Sequence, residues 1–154
     1  MPEPPRSPAE SAEADAVLTA AGPPAGRWVL VVGGGAGFPA RLFRSAGAAR
    51  VVGVDADRAL IASAQRQEER DPLGISYEVH EPARLPVIGD FDVVVAFGVA
   101  AEALPHLAAN VRPGGLLVLS RTSGSWESAL ADAGFASVEH VGEPPSVVPT
   151  ARRP

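Results

Sequence analysis

Apolar and polar positions fall into blocks along the chain, and the period of each block identifies an element. Trp28–Val32 is a continuous apolar run ending in glycines, the pattern of a strand buried on both faces. Pro39–Ala46 has helical spacing, with Leu42 and Phe43 inward and Gly47 as its stop. Arg50–Val54 predicts a second buried strand that ends at Asp55. Asp57–Arg70 predicts a helix, with Leu60, Ile61 and Ala64 at helical spacing and a stop at Asp71-Pro72. Ile75–His80 alternates as a third strand, Phe91–Phe97 reads as a fourth, and Ala101–Val111 as a helix. The turn Arg112-Pro113-Gly114-Gly115 leads into a fifth strand, Leu116–Ser120. Trp126–Ala133 is a last helix, with Phe135–Val141 and Val147–Thr150 as closing strands. The Pro-rich tail after Val141 reads as an edge or surface segment. Strands alternating with helices at this spacing predict an α/β fold, a doubly wound and mainly parallel sheet with helices on both faces. No internal repeat is visible.

Upstream of this alternation the pattern is weaker. Residues 1–6 read as a frayed terminus, and Ser7-Pro8-Ala9-Glu10 fits a capping box with proline at the first helical position. A short helix to Ala21 follows, with a weak apolar side, and Gly22-Pro23-Pro24 ends it. Residues 1–25 are therefore read as an N-terminal extension, a lid or packing helix, and 26–154 as the α/β domain.

Composition narrows the chemistry. The 154 residues suit one domain, and 46% hydrophobic content supports one two-sided core. A formal charge of −5 argues against a protein held to nucleic acid by a basic surface. All 13 cations are Arg, so there is no Lys for a Schiff base; with no Cys there is no thiolate, disulfide or sulfur-ligated metal. His80, His106 and His140 show no ligand spacing, and no metal site is expected. No apolar run reaches membrane-spanning length and the N-terminus lacks a signal pattern, so a cytoplasmic location is the expectation.

The strongest chemical signal is Gly33-Gly34-Gly35-Ala36-Gly37 at the first strand–helix junction. Glycine suits a sharp turn that a ligand must approach without meeting a Cβ, and the helix beyond offers N–H groups and partial positive charge. Asp55 lies at the end of the second strand, 22 positions after Gly33. A doubly wound sheet brings its carboxylate beside the turn, where it can accept hydrogen bonds from two ribose hydroxyls. Capping of the next helix is the competing role, which Asp57 also fits. Turn and carboxylate together predict a nucleoside site. Gly35-Ala36-Gly37-Phe38-Pro39-Ala40 also satisfies a nicotinamide-type fingerprint, and Gly47–Asp55 resembles the cofactor domain of medium-chain alcohol dehydrogenases.

The ordered set of motifs resembles the class I S-adenosylmethionine (SAM)-dependent methyltransferases over about residues 28–152. Val29–Gly37 is similar to that family's first motif, and Val52-Gly53-Val54-Asp55-Ala56-Asp57 to its ribose-binding strand end. Tyr77–Pro86 resembles the segment whose acidic residue faces the adenine amino group, here Glu81. Phe91–Val95 resembles the fourth strand, Arg112–Leu119 the turn into the fifth, and Leu130–Phe135 with two short strands the closing hairpin. The resemblance implies a seven-stranded sheet with an antiparallel C-terminal strand. It implies SAM as cofactor, bound by Gly33, Gly35, Gly37, Asp55, Ala56, Glu81, Pro82 and Phe97.

The sequence departs from the family at Val31, where the first motif usually carries an acidic residue that contacts the methionine end of the ligand. No Asn-Pro-Pro-aromatic tetrapeptide follows the fourth strand, which removes the usual signature for exocyclic or amide nitrogen acceptors. Methyl transfer to a good nucleophile rests mainly on positioning; a weak one needs a base, for which Glu102 and His106 are the weak candidates. Trp28 and Trp126 are expected to pack. A small-molecule methyltransferase is the leading expectation, with a homodimer mate or partner subunit completing the acceptor pocket as one arrangement. An aminocarboxypropyl transferase, suggested by a resemblance of Gly115–Arg121 and the C-terminal residues to nicotianamine-synthase relatives, is one alternative. A degenerate binding subunit completed by a partner chain is the other.

Overall fold

Strand β1 (Trp28–Val32) is buried on both faces beyond its first residue, and the rest of the fold is layered around it. Val29 and Val31 point into one apolar layer, with Val17 and Ala20 of α1 (Pro8–Ala21), Ala40 and Phe43 of α2 (Phe38–Ser45) and Ile61 and Ala64 of α3 (Arg58–Arg70). Leu30 and Val32 point into the other, with Leu104 and Leu107 of α4 (Leu104–Ala108) and Leu130 of α5 (Glu127–Asp132). Each fully buried Val, Leu or Phe contributes about 1.5–3 kcal/mol, so these two layers hold the sheet between its helices. The computed structural model describes residues 8–120, 127–135, 137–141 and 148–154. The expected cap at Ser7, and Trp126, lie outside the described residues.

The remaining strands are β2 (Arg50–Asp55), β3 (Ser76–Val79), β4 (Phe91–Phe97), β5 (Val111–Ser120), β6 (Ser137–Val141) and β7 (Val148–Arg152). They form one seven-stranded sheet in the order β3-β2-β1-β4-β5-β7-β6. β1 pairs in parallel with both β2 and β4, and β7 alone runs antiparallel to its neighbours β5 and β6. The fold class read from the alternation is the one observed. Chain order reverses direction between β1 and β4, so a crevice opens outside the carboxyl ends of these two strands.

Four local readings need correction. The helix expected over Ala101–Val111 is a 3-10 turn, Ala101–Ala103, followed by the single short helix α4, and Val111 belongs to β5. Asn110 ends the helix instead. Its buried side chain accepts the Ile88 N–H at 2.8 Å and donates to the Pro86 and His106 carbonyls, tying the chain to the segment before β4. The turn expected at Arg112–Gly115 is an irregular part of β5: the β4–β5 register shifts between Phe91 and Val93, and Gly114 donates to the Arg153 carbonyl at 2.8 Å. The described part of the tail after Val141 is β7, which lies inside the sheet between β5 and β6, with Thr150 and Ala151 buried. Trp28, expected to pack, is 41% exposed, and the Arg50 guanidinium lies over its ring at 5.0 Å from the centroid.

The amino end of β1 is held by a charge. The Trp28 N–H donates to Asp92 Oδ2 at 2.9 Å, and Arg112 donates to Oδ1 at 2.8 Å. Burial alone would raise the Asp92 carboxyl; the Trp28 amide and the Arg112 guanidinium together outweigh it and hold the group below the ordinary Asp range. A depressed folded-state value means stability present above the unfolded value near about 3.9 and lost as pH falls through the folded one. Asp92→Asn is expected to lower unfolding free energy by about 1 kcal/mol at neutral pH. In urea titrations the gap from the parent protein should narrow below pH of about 4; an unchanged gap at low pH would contradict the assignment.

Candidate cofactor site at the strand-order reversal

The turn after β1 folds tightly because three of its glycines take positive φ: 76° at Gly33, 63° at Gly35 and 102° at Gly37. At Gly33 there is no alternative. Its N–H donates to the Val54 carbonyl at 2.9 Å, and a Cβ there would stand 2.5 Å from the Phe97 carbonyl oxygen. The turn is thereby pressed between the ends of β2 and β4. Gly37 is the left-handed N-cap of α2, and a Cβ on it would meet the Tyr77 hydroxyl oxygen at 2.7 Å. Tyr77, buried on β3, also fills the space above Gly53, where a Cβ would lie 2.7 Å from its ring.

Asp55 fixes the outer side of the turn. Its Oδ2 accepts the Gly35 N–H at 3.0 Å and its Oδ1 accepts the Asp57 N–H at 2.9 Å, so both oxygens are oriented while the group stays half-buried. A carboxylate has about four acceptor sites, so two amides leave capacity for ligand hydroxyls. Asp57 caps α3, its Oδ1 accepting from Ala59 at 2.9 Å and Leu60 at 3.2 Å. Capping of α3 therefore falls to Asp57, and Asp55 holds the turn. Ala56 is exposed beside them.

Across the crevice, Glu81 is exposed and precedes a 3-10 turn at Pro82–Arg84, with Arg84 Nε 3.7 Å from its carboxylate. His80 pairs with Glu78 at 3.2 Å, and its backbone N–H donates to the Asp55 carbonyl at 3.1 Å, which carries the Glu81–Pro82 segment to the same edge. Phe97 is buried and supplies the carbonyl that meets Gly33, while Gly98 beyond it has open space where a Cβ would be. Gly33, Gly35, Gly37, Asp55, Ala56, Glu81, Pro82 and Phe97 all lie at the carboxyl ends of β1 to β4. Glu102 is exposed just after β4 and His106 half-exposed on α4, on the opposite layer from α2 and α3 and apart from the Gly35–Asp55 hydrogen bond. The side chain of His140 lies outside the described residues. Among the described residues no three His, Asp or Glu side chains are grouped to hold a metal, and no helix is long and apolar enough to cross a membrane.

One feature escaped the sequence. Leu60, part of the apolar spacing of α3, is 37% exposed, with Cδ1 3.9 Å from where a Cβ on Gly35 would stand. The buried stripe of α3 runs through Ile61 and Ala64, which leaves Leu60 as an apolar wall beside the Asp55 carboxylate. Val31 lies fully buried under the turn, its Cγ1 2.8 Å from a Cβ built on Gly34. A hollow of about 380 Å³ among Pro105, Ala108, Gly134 and Arg153 opens at the other, amino end of β5 and is separate from this crevice.

Comparison with known proteins decides the family. The model described as "Methyltransferase domain" matches residues 29–115. The chain belongs to the methyltransferase domain family. The ribosomal protein L11 methyltransferase of Burkholderia ambifaria is 38% identical over 99 residues, which is 62% of this chain and 32% of that protein. This chain therefore spans about a third of the length of such curated relatives. An S-adenosylmethionine-dependent methyltransferase from Mesorhizobium loti has the same fold, with a TM-score of 0.77 at 20% identity over 92% of this chain and 98% of that one. So does a chain of the complex between the Haloferax volcanii Trm112 methyltransferase activator and a putative methyltransferase, with a TM-score of 0.75 at 17% identity over 93% and 89%. The family match takes in β1 to β4, with the glycine turn and Asp55.

The two kinds of glycine in the turn should separate experimentally. Gly33→Ala, with positive φ and the Phe97 carbonyl in its path, is expected to cost about 2–4 kcal/mol in urea unfolding. Gly35→Ala meets only Leu60 and should cost about 1–2 kcal/mol, the left-handed penalty alone. Equal losses would show that the close approach at Gly33 is not the constraint.

Proposed function

We propose that this chain is a SAM-dependent methyltransferase whose donor site is the crevice between the Gly33–Gly37 turn and the ends of β2, β3 and β4. The observation that carries the reading is the Asp55 carboxylate, oriented by two backbone amides at the open mouth of a glycine turn. It fits a ligand with paired hydroxyls, and Ala56 and Leu60 offer apolar surface on either side of it. Glu81 and Pro82 would border the adenine, the carboxylate accepting from its amino group. Gly33, Gly35 and Gly37 would let the ligand's middle pass close to backbone, next to Phe97. The family match and the SAM-dependent Mesorhizobium loti structure support the cofactor. When bound, SAM supplies an electrophilic methyl group on a sulfonium. The chain's own part is to orient the two reactants and exclude water, the dominant contribution when the acceptor is a good nucleophile.

The acceptor is proposed to be a small molecule reached near Phe97-Gly98-Val99. Between β5 and β6 the chain has only residues 121–136, including α5, so no large substrate-covering insertion stands there. The curated relatives named for ribosomal protein L11 favour a protein acceptor as the second reading. The Haloferax complex with an activator favours a partner chain as part of that pocket. Transfer of labelled methyl from SAM to low-molecular-weight acceptors, but not to ribosomal protein, would support the first reading; label in protein alone would replace it with the second.

The donor site itself has a direct test. Calorimetry is expected to show binding of SAM and S-adenosylhomocysteine, and none of NAD at the same concentration. Asp55→Ala should weaken SAM about 10–100-fold, the value of one charge-assisted hydrogen bond. SAM binding that survives Asp55→Ala unchanged would remove the carboxylate from the site.

A further inference from the structure

The proposed ligand carries a positive ammonium at the end away from its ribose, and the turn offers that end an apolar residue. Val31 is fully buried beneath Gly34 and cannot take up charge. An ammonium drawn out of water needs an anion close by. On the same face of the sheet, α1 brings one.

α1 runs antiparallel to β1. Its 14 residues extend about 21 Å, against about 17 Å for a five-residue strand. Its last turn is held at the amino end, where the Arg27 guanidinium donates to the Ala21 carbonyl at 3.2 Å. Its first turns therefore lie over the carboxyl ends of the strands. Glu13 stands there, and the Ser120 hydroxyl donates to its Oε2 at 2.9 Å. Ser120 ends β5, is 8% exposed, and pairs in register with Phe97, whose carbonyl meets the turn at Gly33. One helical turn along, on the same stripe as Glu13, Val17 packs in the layer that holds Val31 and Phe97. A half-buried carboxylate is thus placed on the crevice side of β5 by a hydrogen bond to the sheet.

Resting on the SAM reading, we propose that Glu13 receives the ammonium of the ligand's methionine end, supplying from the N-terminal helix the charge that Val31 does not provide. The Ser120 hydroxyl orients the carboxylate, and a carboxylate has several acceptor sites, so it can take a further donor. The helix that reads as an extension then completes the donor site.

The test pairs protein and ligand variants in calorimetry: wild type, Glu13→Gln and Ser120→Ala against S-adenosylhomocysteine, its desamino analogue and methylthioadenosine. In the wild type, loss of the amino group is expected to weaken binding about 10–100-fold, as for a charge-assisted hydrogen bond. In Glu13→Gln the amino and desamino ligands should bind alike, while methylthioadenosine, which lacks the amino-acid end, keeps its wild-type affinity. Ser120→Ala should weaken S-adenosylhomocysteine by a smaller factor. If the amino-group effect persists in Glu13→Gln, or methylthioadenosine weakens in parallel, Glu13 is a structural anchor of α1 and the proposal fails. Should Glu13→Gln not fold, the wild type alone still decides, because equal affinity for the amino and desamino ligands overturns the proposal. Wild-type protein that binds none of the three overturns the SAM reading itself, a result distinct from failure at Glu13.

Discussion

The Asp55 carboxylate clamps the first turn to the start of α3 at the edge where β1, β2 and β3 run side by side. One oxygen holds the Gly35 amide of the first turn; the other holds the Asp57 amide at the start of α3. Through its own carbonyl the residue also accepts the His80 N–H and so brings the end of β3 alongside. An amide buried without an acceptor costs about 1–3 kcal/mol; the part-buried Gly35 amide has its acceptor here, while the Asp57 amide lies at the exposed start of α3. The crevice exists because the turn is pinned outward at Asp55 and inward at the Phe97 carbonyl.

That pinning explains why binding chemistry and packing chemistry sit on neighbouring residues. β1 must be apolar on both faces to lie at the centre of a seven-stranded sheet, and Val29 to Val32 meet this demand. The same demand gives the position beneath Gly34 to Val31. An acidic residue at that position would place a charge at the boundary between core and ligand, where it is costly unless paired. Valine there stabilises the core and leaves the turn itself without a negative group.

Much of this was legible because periodicity and turn chemistry agree along most of the chain. The parallel core strands β1, β2 and β4 are apolar runs ended by Gly or Asp, and the Gly33–Gly37 turn and Asp55 are visible from residue type and order. What escaped depends on partners distant in sequence. Arg112–Gly115 reads locally as a turn, yet the Gly114 N–H donates to the Arg153 carbonyl and the Arg153 N–H to the Gly115 carbonyl, which draws it into β5. Val148–Arg152 carries a proline and reads as an edge, yet it is covered by β6. Leu60 fits the apolar spacing of α3, but at the helix's first turn it reaches the glycine turn where the core has ended. No local rule distinguishes these cases.

The N-terminal helix shows the same limit most sharply. Its sequence has little amphipathic character, since alanines supply most of its inward side, and nothing local marks Glu13 among its acidic residues. What singles out Glu13 is a bond to Ser120 across 107 positions of chain, formed because Val17, Ala20 and Ala21 seat the helix along the sheet. Small side chains allow close approach of helix to strands, and close approach brings the carboxylate within reach of the end of β5. That seating carries a charged group to the carboxyl edge of the sheet, where β1 is apolar.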